Sequence, residues 1–213
     1  VERRFRFVAP GARLALPPGA GARLDALLRG QLVLVREDAE GRVLDATALQ
    51  HAGALDARFA AAARATDLGA TPRAGGTAFA LWAPTARRVA LCVYADARGA
   101  ATHHVPLRRD ASTGIWRATV PGVGHGRPYR YVVDVRAPGA GVVRNRVTDP
   151  YALGLTADSR RSVVLDLAHP TTIPDGWARA PRPAPLAAPT DQVVYELHVR
   201  DFSASDTTVR AAW

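Results

Sequence analysis

Glu196, His198, Arg200 and Asp201 fall within six consecutive positions and form the densest ionisable set on one predicted element. Around them Val193, Tyr195, Leu197 and Val199 alternate with Val194, Glu196, His198 and Arg200, which predicts a strand over 193–199. If that strand opens a barrel, one of its faces turns to the helices and the other to the lumen, and its C-terminal end reaches the active-site rim. Two readings are open: a general acid or substrate-orienting group, or an ion-pair network that fixes the strand in register. His103, His104 and His125 could be imagined as metal ligands. Adjacent histidines on a strand point to opposite faces, and no carboxylate or Cys completes the set, so they read as exposed loop residues. Trp82, Tyr94, Trp116, Tyr129 and Tyr131 could stack on sugar rings through their apolar faces, with Trp82, Tyr94 and Trp116 the candidate binding residues. Each lies in or beside an alternating strand, where packing is the competing role. The one cysteine, Cys92, sits in an apolar run, so no internal disulfide can form and it reads as a small buried residue.

The elements that would carry these groups are mostly strands. In Gly75 to Tyr94 apolar residues fall on every second position, at Phe79 and Leu81 and again at Val89, Leu91 and Val93. Ala83-Pro84-Thr85-Ala86 separates the two runs, so they read as adjacent strands with a corner at Trp82. Strands are predicted for Val105 to Leu107, Ile115 to Val120, Tyr129 to Val135 and Val163 to Leu167, with loops at 95–103 and 136–144. Short strands separated by Gly and Pro turns indicate an antiparallel sandwich of immunoglobulin-like shape. Upstream, Phe5 to Leu16 reads as a strand and Leu24 to Arg29 as a short helical turn. Gln31 to Arg36 and Arg42 to Thr47 read as a hairpin, and Leu55 to Thr66 as an Ala-rich helix. The boundary between these parts is placed at about Leu68. Residues 171–189 contain five prolines and read as an extended connector.

Composition narrows the classes. With 213 residues and 48% apolar content the chain can bury a core. Its net charge of +9 comes entirely from Arg, with no Lys or Met, a skew expected of a high-GC genome. The arginines run from Arg3 to Arg210 without clustering in the sequence, which argues against nucleic acid as a partner. No apolar run approaches the ~18 residues of a membrane span, and no stretch has the pattern of a signal peptide. The lack of an initiating Met and the close after a single barrel-type strand lead us to expect a piece of a longer protein. Compartment is left open.

Three motifs in order carry a resemblance. Leu81-Trp82-Ala83-Pro84-Thr85-Ala86 followed by a β-run resembles the opening of the family 48 carbohydrate-binding module. Thr148-Asp149-Pro150-Tyr151-Ala152 and the segment Arg161 to Leu167 (RSVVLDL) resemble the end of that module in pullulanases. Val194 to Ser203 (VYELHVRDFS) is similar to the first barrel strand of pullulanase-type glycoside hydrolases of family 13. Leu28 to Leu32 and Leu44 to Thr47 resemble the segment before the module. The resemblance implies an N-terminal portion at 1–68, a family 48-like sandwich at 69–167, a connector at 168–192 and the start of a (β/α)8 barrel at 193–213. It implies a parent that hydrolyses α-1,6 linkages in pullulan, starch or glycogen with retention. The alternatives are an isoamylase or branching-type relative, or a freestanding glucan-binding module. Such chemistry needs two carboxyl groups about 5 Å apart. The resemblance assigns these carboxyls to later barrel strands, leaving no catalytic residue and no cofactor to this chain, with calcium as an option for the parent. Glycogen-binding modules of the kinase β-subunit kind bring Trp from two loops. The matching positions here, Ala100 to His103 and Gly141 to Val143, hold no aromatic. The module is therefore expected to be a structural partner of the barrel with weak or absent glucan affinity.

Overall fold

The computed structural model describes residues 15, 17–49 and 52–208. The strand expected over 5–16 lies outside these residues apart from Ala15. The chain divides into two compact units, 1–172 and 173–213. Among the described residues no helix is long and apolar enough to cross a membrane.

The first unit opens with α1 (Leu24–Leu28) and an antiparallel hairpin of β1 (Val33–Glu37) and β2 (Val43–Ala48). Helix α2 (Ala52–Arg58) stops at Phe59 and continues as a 3-10 turn over Ala60–Arg64, so the expected single helix is two short pieces. Phe59 is buried and Ala62 packs on Ala80 and Ile115, so packing decides where the helix breaks.

A β-sandwich follows. One sheet has the order β3 (Gly69–Arg73), β4 (Gly76–Trp82), β8 (Ile115–Pro121), β7 (Arg108–Arg109). The other runs β11 (Gly154–Leu155), β12 (Ser162–Val163), β9 (Pro128–Ala137), β5 (Arg88–Tyr94), β6 (Ala101–Pro106), with β10 (Gly141–Val147) also paired to β9. All pairings are antiparallel. Phe79, Leu81, Trp116 and Val120 from one sheet meet Val89, Leu91, Val93, Tyr129 and Tyr131 from the other. Phe79 and Tyr129 contact edge to face with ring centroids 5.0 Å apart, as do Tyr129 and Tyr131 at 5.9 Å.

Within the sandwich four expectations are corrected. The two runs flanking the Ala-Pro corner are not neighbours in a sheet: β4 pairs with β3 and β8, whereas β5 pairs with β6 and β9. Tight hairpins need Gly or Asn at positive φ, which Ala-Pro-Thr-Ala does not supply, so the corner carries the chain from one sheet to the other. The loop expected at 136–144 is a tight turn, with Gly139 and Gly141 at φ 73° and 76°, leading into β10. That strand was hidden because an edge strand need not alternate cleanly. Strand β6 begins at Ala101, so His103 and His104 lie on a strand, not in the loop expected over 95–103. The closing strand shrinks to Ser162–Val163, although Val164 stays buried and its N–H donates to the Arg127 carbonyl at 3.0 Å.

In the second unit 3-10 turns at Trp177–Arg179 and Pro189–Asp191 punctuate an otherwise irregular, exposed connector. No ladder forms over 193–198, and α3 (Val199–Ser203) follows, so the expected strand is absent among the described residues. A strand exists through its partners, and none of the described residues pairs with this segment. The local His198 cap then decides the conformation.

Candidate functional site

The five aromatic candidates separate by burial. Tyr129 and Tyr131 are fully buried, and Trp116 is 7% exposed with its indole N–H donating to the Ala83 carbonyl at 2.9 Å. Tyr94 is 4% exposed, and the Arg161 guanidinium lies 3.5 Å from its ring centroid. Arg161 also donates to the Asp96 and Gly99 carbonyls, both at 2.6 Å, so it ties the β5–β6 loop down over that ring. Burial, then the Cys92 thiol, push the Tyr94 phenol up. Trp82 alone of the five is half-buried. Its indole N–H donates to Thr113 at 3.0 Å, and its ring lines an open apolar groove of about 460 Å³ with Phe59, Ala62, Leu68 and Tyr151.

The ionisable set near the C-terminal end is exposed. His198 caps α3 by accepting the Asp201 N–H at 3.4 Å, and Arg200 Nε lies 3.1 Å from Asp201. Glu196 is exposed beside them. The structure thus joins His198, Arg200 and Asp201 as a helix cap with an ion pair, and leaves Glu196 outside it.

The histidines are not gathered. His104 Nε2 lies 3.2 Å from Cys92 Sγ, His103 Nδ1 lies 3.0 Å from Thr102 Oγ1, and His125 stacks on His169 with ring centroids 4.1 Å apart. Thr171 Oγ1 bridges His125 Nε2 and His169 Nδ1 at 3.0 and 2.9 Å, and the Asp166 N–H donates to His125 Nδ1 at 3.1 Å. Sequence reasoning missed both pairings. Cys92 and His104 are cross-strand partners, and only the register brings them together. Among the described residues no group of three or more His, Cys, Asp or Glu could hold a metal.

One polar group missed as a site residue is Asp149, which is 5% exposed. It accepts from the Tyr129 hydroxyl at 2.7 Å and from the Tyr151 N–H at 2.9 Å, while its own N–H donates to Ser162 Oγ at 2.8 Å. The motifs read separately, TDPYA and RSVVLDL, are therefore stitched together at Asp149 and Ser162. Burial raises the Asp149 carboxyl and outweighs the hydrogen bond from Tyr129 that lowers it. A general acid also needs a raised pKa, but this carboxyl faces the core and serves the fold. The exposed Asp110 goes the other way, lowered to about 2 chiefly by the Ser112 hydroxyl and N–H.

The Asp149 shift has a pH signature. A carboxyl whose folded pKa is raised favours the fold below its unfolded pKa, near 4, and that contribution fades as pH rises through the folded value. Asn at 149 can keep an acceptor without ionising. Relative to the native chain, Asp149→Asn should therefore gain stability from pH 4 to pH 7. Denaturant midpoints of the two proteins across that range check this, and a relative loss on raising the pH would refute it.

These features define a class: a β-sandwich module whose aromatic residues are largely committed to its own core. Residues 67–152 match the family described as carbohydrate-binding module 48 (isoamylase N-terminal domain), and residues 1–57 match the pullulanase N2 domain. The chain is 37% identical over 216 residues to a pullulanase from Klebsiella pneumoniae, covering 99% of this chain and 19% of that one. It is 36% identical over 185 residues to chloroplastic pullulanase 1 from Arabidopsis thaliana, covering 86% and 19%. The crystal structure of a Klebsiella pneumoniae pullulanase complexed with maltotriose superimposes with a TM-score of 0.70 at 36% identity, over 76% of this chain and 15% of that one. The chain matches the N-terminal, non-catalytic region of pullulanases. It spans about a fifth of the length of the curated relatives it matches.

Proposed function

We propose that the chain is the non-catalytic forepart of a debranching hydrolase whose catalytic barrel cleaves α-1,6 linkages in pullulan, starch or glycogen. The observation that carries this is the order of matches, an N2 domain and then a family 48 module, within an alignment to a pullulanase over 99% of the chain. On this reading 1–68 is the partial N-terminal domain, 69–167 an immunoglobulin-like sandwich, 168–192 the connector and 193–213 the first barrel strand. That last segment becomes a strand only when neighbouring strands flank it, which accords with its exposed apolar residues Val193, Val194 and Tyr195. The sandwich supports the barrel and has weak affinity of its own for neutral glucan, since its candidate rings Tyr94 and Trp116 are buried.

Assaying the full-length parent on pullulan tests the reading. Loss of α-1,6 linkages with release of reducing ends is the expected result. A rise in α-1,6 linkages on linear glucan would assign a branching enzyme instead.

A further inference from the structure

The outer face of the six-stranded sheet gathers five of the 28 arginines that the sequence spreads along the chain. On β5 the core takes Val89, Leu91 and Val93, so Arg88, Ala90, Cys92 and Tyr94 take the other face. On β9 the core takes Tyr129 and Tyr131, which puts Arg130, Val132, Asp134 and Arg136 outside. Register carries the pattern onto β10, where Arg144 lies opposite Asp134 and Arg146 opposite Val132. Arg88, Arg130, Arg136, Arg144 and Arg146 therefore share one face on three neighbouring strands, and His104 of β6 extends it opposite Cys92. Arg144 is the one paired with Asp134, at 2.7 and 2.8 Å. Among the described residues the other four have no carboxylate in ion-pair range, and Arg130 Nε is buried without a hydrogen-bond partner.

We propose that this face docks a phosphate-ester-bearing α-glucan, with the guanidinium groups taking the phosphates and the polymer lying along the sheet. The proposal rests on the reading above that the chain serves an α-glucan enzyme, and adds the chemical class of glucan it holds. Guanidinium forks match phosphate oxygens two at a time, which a rank of arginines repeats along a polymer. Neutral sugar would need an open aromatic plane, and Tyr94, the aromatic on this face, is covered by Arg161. Single-stranded nucleic acid would need such planes as well, and duplex grooves admit a projecting helix or ribbon that a sheet face does not provide. Strands about 4.8 Å apart and a rise near 3.3 Å per residue give the set a footprint of roughly 20 by 10 Å, enough for a short run of sugars.

The test compares binding of the 213-residue chain to phosphate-bearing amylopectin and to the same polymer after phosphatase treatment. Affinity for the phosphorylated polymer should be at least about tenfold higher at low salt, and the difference should shrink steeply as salt rises. Arg88→Gln/Arg136→Gln/Arg146→Gln should abolish the difference while leaving the circular dichroism spectrum and melting temperature unchanged. A single Arg146→Gln should weaken it in the same direction, should the triple variant fold poorly. Equal binding to the two polymers, binding to neither, a preference undiminished in Arg146→Gln, or tighter binding to an oligonucleotide or to polyglutamate at equal charge would each overturn the proposal. Pullulan carries no phosphate, so its hydrolysis by the parent stands or falls separately.

Discussion

Asp149→Ala should lower the unfolding free energy of the 1–172 unit by about 3 kcal/mol. The variant strips the Tyr129 hydroxyl of its acceptor inside the core and removes the acceptor for the Tyr151 N–H. A buried polar group left unpaired costs about 1–3 kcal/mol, and here two are exposed to that penalty at once. Tyr129→Phe provides the comparison. It removes the donor, leaves Asp149 its bond from the Tyr151 N–H, and should cost only about 1 kcal/mol. Chemical denaturation followed by tryptophan fluorescence measures both. Equal small losses would show that Asp149 does not pin the end of the module.

Gly114→Ala is expected to cost about 2–4 kcal/mol, a large effect for one methyl group. Gly114 sits at φ 70°, and a Cβ there would lie 2.8 Å from Pro84 Cβ, 3.1 Å from Pro84 Cα and 3.3 Å from a Phe59 ring carbon. Its carbonyl accepts the Ala83 N–H at 3.3 Å, so the β7–β8 turn and the sheet-crossing corner press directly on one another. Gly41 has a similar φ of 79° but open space around its Cβ position, so Gly41→Ala should show only the left-handed penalty of about 1 kcal/mol. A Gly114→Ala loss no greater than that of Gly41→Ala would mean that the corner is not braced as described.

How much of this was legible follows from where each signal lives. Alternation at Phe79 and Leu81, at Val89, Leu91 and Val93, and at Tyr129 and Tyr131 marks core-facing positions in the sequence itself, because one buried face imposes period two. The Ala83-Pro84 corner was visible, but its partners were not: which sheet each flanking run joins depends on strands tens of residues away. β10 escaped because Arg144 and Arg146 on one face and Asn145 on the other leave it without an apolar alternation. Tyr94 and Trp116 could be named as aromatics, yet their burial under Arg161 and against Ala83 depends on long-range contacts. Asp149 was read only as part of a motif, and its role appears once Tyr129 and Ser162 are brought to it. The basic face illustrates the same point. Arginines scattered along the sequence become neighbours only through the register of β5, β9 and β10.

The proposed division of labour between this chain and a catalytic barrel is tested most directly by incubating the purified 213-residue chain with pullulan and measuring reducing ends beside the full-length protein. The chain alone should match the blank while the parent releases reducing ends. Release by the chain itself would place catalytic carboxylates within these residues and contradict the account.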